Sequence, residues 1–444
     1  MKLDNQFSVH FIGICGSGMN VLAKYLKRFG FKVSGSDLNY GDVFKSLLDF
    51  GIDVKLGHVA KNVVDANVVV YSSAISSNNV ELKEAINLRK TIYSRAKLLN
   101  LIISTYKNSI GIAGSHGKTT TTSMGAHVLD KSLIDYTAFI GGVDSDLNNF
   151  VYSDSKNCII TEVCEFNNNL KYVFPTVAVV LNIDNDHLDY FKTIDNLHKS
   201  FINYLDKANY KIICNDDCRL KNYSSSNLLS FAIYNDATYK AENLVNNNGK
   251  YSFSVTLKNG ENLFINLNVY GMHNVYNALA NVAIFDGVFN FDKSIIKSGI
   301  ESFTLVKRRC EFLGKIANKN ICADYCHHPS EIVETLKIFD EIFNKDYTII
   351  FQPHTYSRTK LLFNEFIEVF KGRKIIIFKT YSAREKYDYT GSAKRLSRNL
   401  KCRYYKNVKK LKKAITIEKY TKNYILLGAG NLCDLILKEN SDFE

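Results

Sequence analysis

Apolar positions in the first hundred residues fall in short continuous blocks, separated by stretches whose apolar residues recur every three or four positions. Blocks at 9–14, 31–34 and 68–72 predict buried strands, and the periodic stretches 19–29, 43–50 and 80–87 predict helices. Strand and helix alternating in this way imply a parallel sheet with helices on its faces. The same pattern resumes further on, with apolar runs at 158–163, 177–183 and 212–214. Segments 251–255 and 263–269 read as a hairpin closed by the Asn259-Gly260 turn. From residue 304 onward, strands are predicted at 321–325, 348–352, 374–378 and 424–427, again with helical stretches between them. The expectation is an α/β chain of three domains, 1–104, 105–303 and 304–444.

Composition narrows the class. With 444 residues, 46% hydrophobic and 23% charged, the chain has the make-up of a soluble globular protein. No run of eighteen uncharged apolar residues offers a membrane span, and the first residues lack the pattern of a signal peptide, so a cytoplasmic location is expected. The net charge of +13 reads as lysines scattered through the chain, with one dense patch where Lys409, Lys410, Lys412 and Lys413 surround Leu411. That patch reads as a solvated helix face, and no nucleic-acid partner is expected. Ten cysteines include the spaced pairs Cys214/Cys218 and Cys322/Cys326. Without an export signal and without a two-residue spacing, they read as buried thiols rather than disulfides or zinc ligands.

The sharpest chemical signal is the run 111–122, which holds Gly111, Gly114, Ser115, His116, Gly117, Lys118, Thr119 and Thr120. It follows an apolar block that includes Ile102, Ile103, Ile110 and Ile112 and leads into a helical stretch at 123–129. Strand, glycine turn and helix grip phosphate: backbone N–H groups approach the oxygens, and the helix N-terminus adds positive potential. A lysine there reaches the terminal phosphates and a threonine hydroxyl faces Mg²⁺. The chain therefore uses a nucleoside triphosphate.

Parallel sheets present ligands at the carboxyl ends of their strands. In the central part those ends carry Glu162 and the run 182–187, with Asn182, Asp184, Asp186 and His187. A carboxylate and an imidazole near Lys118 would suit Mg²⁺, although alone each reads equally as a capping or surface residue. Asn274 and Asn277 share a helical face and could read a base or cap the helix, and capping is the simpler reading. The last third adds Arg308, Arg309, Asp324, Tyr325, His327, His328, His354 and Arg358, at or just beyond strand ends. Its adjacent histidines suit a metal or an anion. Near the N-terminus, Gly13, Gly16 and Gly18 form a turn with Asp37 about twenty residues on, close to a dinucleotide fingerprint but with the glycine order altered.

Taken in order, these segments resemble the Mur ligase family across essentially the whole chain. The resemblance rests on the glycine turn 13–19, Ser34-Gly35-Ser36-Asp37, Gly57-His58, Ser72-Ser73-Ala74-Ile75 and the loop 114–124. It rests equally on Glu162-Val163-Cys164-Glu165-Phe166, the 182–187 run, His273-Asn274 with Asn277, Asp324-Tyr325 with His327-His328-Pro329, and 352–359. It implies an N-terminal Rossmann-like UDP-binding domain, a central P-loop ATPase domain with a mainly parallel sheet, and a C-terminal Rossmann-like domain that binds the amino acid. The implied activity is ATP-dependent amide formation between the lactyl carboxylate of UDP-N-acetylmuramate and L-alanine, through an acyl phosphate, in peptidoglycan precursor synthesis.

The resemblance also implies residue roles. Lys118 would stabilise the transferring phosphate within an ATP loop of Gly114, Ser115, His116, Gly117, Thr119 and Thr120. Thr119 or Thr120 would join Glu162 at one Mg²⁺, and His187 would ligate a second metal ion. Asn274, Asn277, Arg309 and Asp324 would contact ATP. Tyr325, His327, His328, His354 and Arg358 would shape the alanine and acyl-phosphate region, with His328, His354 and Arg358 grouped with Lys118 and His187 as catalytic. Gly16, Ser17, Gly18, Asp37, His58 and Ser73 would line the UDP pocket. A hinge is implied near 303–306, and a monomer or homodimer is expected.

The chain departs from the common family pattern in places. Thr355 stands where many members have arginine, Cys310 replaces an aromatic, and Ala323 replaces an acidic residue. Asn167, Asn168 and Asn169 occupy positions usually basic, and Phe201 lies where a modified lysine is expected. The alternatives are a ligase joining a recycled peptide to the same sugar nucleotide, and a non-catalytic UDP-sugar-binding homologue. The presence of Lys118, Glu162 and His187 speaks against the second, and the glycine order speaks against an NAD-dependent oxidoreductase.

Overall fold

The computed structural model describes residues 7–185, 188–304, 306–383 and 385–438. Contacts divide the chain into two compact units. The first is Met1–Val245 with Ser252–Asn268 and Asn274–Thr304, and the second is Asn246–Tyr251, Val269–His273 and Leu305–Glu444.

The first unit begins with a five-stranded sheet: β1 (Ser8–Ile12), β2 (Lys32–Asp37), β3 (Asp53–Leu56), β4 (Val68–Tyr71) and β5 (Thr91–Ser94). Its order is β3-β2-β1-β4-β5 and every pair is parallel. Helices α1 (Ser17–Arg28), α2 (Asp42–Asp49), α3 (Val80–Asn87) and α4 (Arg95–Ile103) make the crossovers. The apolar stripe of α1, with Met19, Leu22, Ala23 and Leu26, is buried with Val9 and Phe11 of β1 in one core. The predicted strand 9–14 ends at Ile12, because Gly13 takes a left-handed φ of 78° and the chain turns there.

A second sheet of the same unit comprises β6 (Asn108–Ala113), β7 (Tyr136–Asp144), β8 (Asn148–Val151), β9 (Cys158–Glu162), β10 (Val177–Val180), β11 (Tyr210–Cys214), β12 (Leu228–Ala232) and β13 (Tyr239–Lys240). The order is β13-β12-β11-β10-β6-β9-β7-β8, parallel except for β8 against β7. Helix α5 (Lys118–Lys131) follows β6, and α6 (Leu188–Phe191) and α7 (Ile194–Leu205) follow β10. The helix predicted at 123–129 starts five residues earlier, at the lysine of the glycine loop. Ile102 and Ile103, read as part of the strand before that loop, instead close α4. With β6 flanked by β9 and β10, three loops open side by side at one sheet edge, the arrangement that places ligands in open α/β sheets.

Strands β14 (Glu242–Asn247), β15 (Lys250–Thr256) and β16 (Asn262–Tyr270) form a three-stranded sheet, followed by α8 (His273–Phe285) and α9 (Lys293–Ser302). The predicted hairpin is β15–β16, with Gly260 at φ 83° in its turn. In β16 burial alternates residue by residue, as one covered face requires.

The second unit is built on β17 (Glu311–Ile316), β18 (Lys319–Asp324), β19 (Thr348–Phe351), β20 (Ile375–Phe378), β21 (Arg403–Tyr405) and β22 (Asn423–Leu427). Their order is β17-β18-β22-β19-β20-β21, parallel except for β17 against β18. One face is packed by α10 (Pro329–Phe343), α12 (Phe363–Phe370) and α13 (Ala393–Asn399), through Leu336, Phe366 and Leu396, and the short α11 (Tyr356–Leu361) precedes α12. The other is packed by α14 (Val408–Ile417) and α15 (Leu432–Lys438), through Leu411, Ile415 and Ile436. The α/β class with mainly parallel sheets is therefore as the sequence implies. No helix among the described residues is long and apolar enough to cross a membrane.

Candidate functional site

In the first unit the glycine loop joins the buried strand β6 to α5. Gly117 sits at φ 85°, and a Cβ there would lie 2.8 Å from Asn277 Oδ1, so both backbone and space demand glycine. The loop is fixed from the next strand. Asn182 Oδ1 accepts the His116 amide at 2.8 Å, and Asn182 Nδ2 donates to the His116 carbonyl at 3.1 Å. Ser115 Oγ accepts the Asp184 amide at 2.9 Å, and the His116 ring meets Asp184 Oδ2 at 3.1 Å. From α8, Asn277 Oδ1 accepts the Thr121 hydroxyl at 3.0 Å, and its amide donates to Asn274 Oδ1 at 2.8 Å. Asn277 thus braces α5, and Asn274 holds the Asn277 amide.

Lys118 is the first residue of α5. Its ammonium reaches the carbonyls of Gly114 and Ser115, the latter at 3.0 Å, and the Glu165 carboxylate at 3.0 Å. Burial disfavours its charge, but the carboxylates of Glu165 and Glu162 outweigh that, so its proton is held more firmly than an ordinary lysine's. Beside it Thr119 donates to Glu162 Oε2 at 2.8 Å. Hydroxyl and carboxylate oxygens at the mouth of a phosphate loop are the hard donors that Mg²⁺ prefers. Thr120 follows in the same turn of α5, partly exposed. His187, the expected second metal ligand, lies outside the described residues, as does Asp186.

Gly16 caps the start of α1, and Ser17 and Gly18 are its first two residues. Asp37 is 2% exposed; its carboxylate accepts the Cys15 amide at 2.9 Å and the Asn39 amide at 3.1 Å, so it pins the turn before α1 from within. His58 Nδ1 lies 3.0 Å from Glu81 Oε2 and 3.0 Å from Ser36 Oγ. Glu81, fully buried, also accepts Asn62 Nδ2 at 2.5 Å and the Val59 amide at 3.3 Å. Ser73 is reached by Asn169 Nδ2 at 3.1 Å, and its carbonyl by Asn167 Nδ2 at 3.2 Å. Where basic residues were expected, these asparagines tie the rim of the first sheet to that of the second.

In the second unit the predicted residues gather at the carboxyl ends of β18, β19 and β22. Asp324 accepts the amides of Cys310 at 2.9 Å and Cys326 at 2.8 Å. Arg308 donates to the carbonyls of Gly428 and Gly430 at 2.7 and 2.8 Å, while the guanidinium groups of Arg308 and Arg309 lie over the Tyr325 ring at 5.0 and 5.4 Å. For Arg309, burial opposes the charge, and Asp324 with Glu331 more than restores it. His328 forms a capping box with Glu331 at the start of α10, which employs one of the two adjacent histidines structurally. His327 lies 5.5 Å from the His354 ring, which stacks on Tyr381 at 5.5 Å. Burial, then the charges of His327, Arg358 and Arg308, push His354 down to about 3, so it is neutral across the physiological range. Arg358 lies in α11, capped by Thr355, the residue that stands in place of an arginine.

Three residues of the first unit were not singled out as site residues in the sequence. Glu165 appeared there only as part of a motif, although a carboxylate three positions after Glu162 at a strand end was the available signal. Glu81 carried no signal, since its partners Ser36 and the 58–62 segment lie some twenty or more residues away in the chain. Arg95 follows β5, a four-residue, half-buried strand without an apolar run to announce it.

Comparison with known proteins follows the same lines. Residues 8–107 match the catalytic domain of the Mur ligase family and residues 112–285 match the Mur ligase middle domain. The chain is 36% identical over 447 residues to the UDP-N-acetylmuramate–L-alanine ligase of Caldicellulosiruptor bescii, covering 97% of this chain and 98% of that one. It is 39% identical over 394 residues to the protein of the same name from Acetivibrio thermocellus, covering 86% and 83%. Its fold matches the crystal structure of the UDP-N-acetylmuramate–alanine ligase of Thermotoga maritima with a TM-score of 0.83 at 24% identity, over 98% of each chain. A murein peptide ligase from Psychrobacter arcticus matches with a TM-score of 0.74 at 20% identity, over 97% of this chain and 98% of that one. On relatives this similar over nearly its whole length, the chain belongs to the Mur ligase family.

Proposed function

We propose that the protein ligates L-alanine to the lactyl carboxylate of UDP-N-acetylmuramate at the expense of ATP. The observation that carries the reading is the convergence of Lys118, the Thr119–Glu162 pair and Asn277 on one glycine loop, in a chain whose alanine-ligase relatives match it nearly end to end. A carboxylate is a poor electrophile. One of its oxygens attacks the γ-phosphorus, the bond to the β–γ bridging oxygen breaks, and ADP leaves. The alanine amine then attacks the acyl carbon, the C–O bond to phosphate breaks, and the amine gives up its proton as the amide forms. Such a reaction needs alignment and charge neutralisation more than covalent help from the protein.

The loop amides and the α5 N-terminus would hold the β- and γ-phosphates, with the Lys118 ammonium set against the charge of the moving phosphoryl group. Thr119, Thr120 and Glu162 would hold Mg²⁺, which supplies charge neutralisation at the phosphates when bound. Asn274 and Asn277 would keep α5 in place, and Gly16, Ser17, Gly18, Asp37, His58 and Ser73 would shape the UDP pocket. In the second unit, Arg309 and Asp324 would serve ATP. Tyr325, His327, neutral His354 and Arg358 would receive alanine, and His328 would orient the start of α10. The domain limits 1–104, 105–303 and 304–444 belong to the same proposal.

The test is phosphate release from ATP and Mg²⁺, with and without UDP-N-acetylmuramate and L-alanine. Release requiring both, with formation of the UDP-muramyl-alanine product and its loss in Lys118→Ala, establishes the ligase. A wild-type protein that binds the sugar nucleotide but releases no phosphate would overturn it.

A further inference from the structure

Arg95 stands where a cation is unfavourable. It is the first residue of α4, at the positive end of the helix dipole, and the first turn holds no acidic residue to offset it. Among the described residues its guanidinium has no ion pair and no hydrogen bond. Partly buried arginines without partners are uncommon, because a forked cation loses hydration without gaining acceptors.

The surroundings show what it faces. A Cβ on Gly18 would lie 2.6 Å from Arg95 Nη1 and 3.3 Å from its Cζ, so the guanidinium rests against the bare backbone of the first turn of α1. A small cavity of about 10 Å³ is lined there by Ser17, Gly18, Arg95, Gly141, Thr161 and Glu162. Glu162, which lines the same cavity, is seated against Gly141 and accepts the Thr119 hydroxyl at 2.8 Å. Both Arg95 and Lys118 favour the charged form of the Cys164 thiol, two residues beyond β9. One of them is paired with Glu165, and the other is unclaimed.

We propose that Arg95 is the receptor for the substrate carboxylate that is to be phosphorylated. The fork would take its two oxygens bidentately from the side of the first turn of α1. Glu162 of the same cavity is bonded to Thr119 at the head of α5, which would put that carboxylate near the loop holding the terminal phosphate, and the helix dipole that makes Arg95 costly here favours the anion it binds. The inference deepens the proposed function and rests on it, since it assigns the group on the sugar nucleotide that Arg95 reads.

The test measures binding to the full-length protein without ATP, using UDP-N-acetylmuramate together with UDP and UDP-N-acetylglucosamine. The last two share the nucleotide and pyrophosphate but lack the lactyl carboxylate. Arg95→Met is expected to weaken UDP-N-acetylmuramate by about 30-fold, the range for hydrogen bonds to a charged group, and the other two by less than threefold. Arg95→Lys keeps the charge without the fork and should fall between. The unchanged affinities for the two carboxylate-free ligands also show that the variant is folded. Equal weakening of all three ligands would assign Arg95 to the pyrophosphate and overturn the proposal, as would no weakening of any. A wild-type protein that binds none of them would overturn this inference and the proposed function together, whereas wild-type binding with an insensitive Arg95→Met variant would overturn the inference alone.

Discussion

Lys118 keeps its charge although it is buried, because the carboxylates around it outweigh the loss of water. The side chain of Glu165 is 1% exposed and lies 3.0 Å from the Lys118 ammonium, so the two form a buried ion pair. Removing the ammonium with Lys118→Ala is expected to lower kcat by about 10³-fold, the scale for loss of a preorganised cation opposite developing charge. Steady-state phosphate release checks this, and retention of more than a tenth of the activity would remove Lys118 from the phosphoryl step. Two other single residues govern the acid limb of stability. Burial lowers His10 to about 4, against the pull of Glu81, and His354 is lowered to about 3. Both imidazoles are neutral in the fold and take a proton at about 6.5 once unfolded, so the unfolded chain binds more protons below that pH. The stability they permit is full above pH 6.5 and is lost as pH falls toward 4. Between pH 7 and pH 5 each should cost about 2 kcal/mol. Urea midpoints for His10→Asn and His354→Gln should therefore fall less steeply with acid than the wild type's, and parallel slopes would refute the assignment.

Helix α5 shows how an element carries a site beyond its first turn. Two and a half turns below Lys118, His127 Nε2 meets the Asp144 carboxylate at 3.1 Å, and Ser123 donates to the same group. Asp144 also accepts the amides of Asp146 and Leu147 at 2.8 and 2.9 Å. Its burial would raise its proton affinity, but these donors more than reverse that. On its other nitrogen His127 meets Ser302 at 3.2 Å, at the end of α9, and its ring stands edge-on to Phe303 at 5.6 Å. Replacing His127 with Leu leaves a buried carboxylate short of a donor and should cost about 1–3 kcal/mol, seen in the urea midpoint. His127→Asn should recover part of it. A loss below 0.5 kcal/mol would mean that β7 and α9 are held to α5 by apolar packing alone.

The same element marks what the sequence discloses. The loop at its head was legible because glycine, lysine and threonine spacing is dictated by phosphate and tolerates few alternatives. Strands β6, β9, β10 and β18–β20 were legible as apolar runs because both of their faces are covered. Strands β3, β5, β8 and β21 were not: each has three or four residues and at most one of them buried, so no hydrophobic period develops. Residues set by such strands, Arg95 among them, could only be found once the chain was folded. Glu81 and Asp144 were hidden for another reason. Their donors come from other elements or from the following turn, and a lone buried carboxylate looks like any surface acid until its donors are assembled.

At the scale of the whole molecule, the charge is not spread as the sequence reading held. Residues 371–422 hold eighteen Lys and Arg against three Asp and Glu, while the rest of the chain has 39 against 41. The net +13 is therefore a property of one part of the second unit. Within it α14 buries Val408, Leu411 and Ile415 and leaves Lys409, Lys410 and Lys413 exposed, the solvated face that the pattern implied. Such a field acts on approaching anions over a distance set by salt, about 8 Å at 0.15 M and 30 Å at 0.01 M. The triple variant Lys409→Glu, Lys410→Glu, Lys413→Glu should leave stability within about 0.5 kcal/mol per site, because no buried partner is lost. At 0.15 M salt its KM for the anionic sugar nucleotide should equal the wild type's within twofold. At 0.01 M salt the wild type's advantage in capture should emerge as a higher KM for the variant, since steering alters association more than the bound state. KM measured across that salt range decides the matter. A defect that persists at 0.15 M would place these lysines in contact with substrate, and none at either salt would mean that the field of this surface does not reach the site.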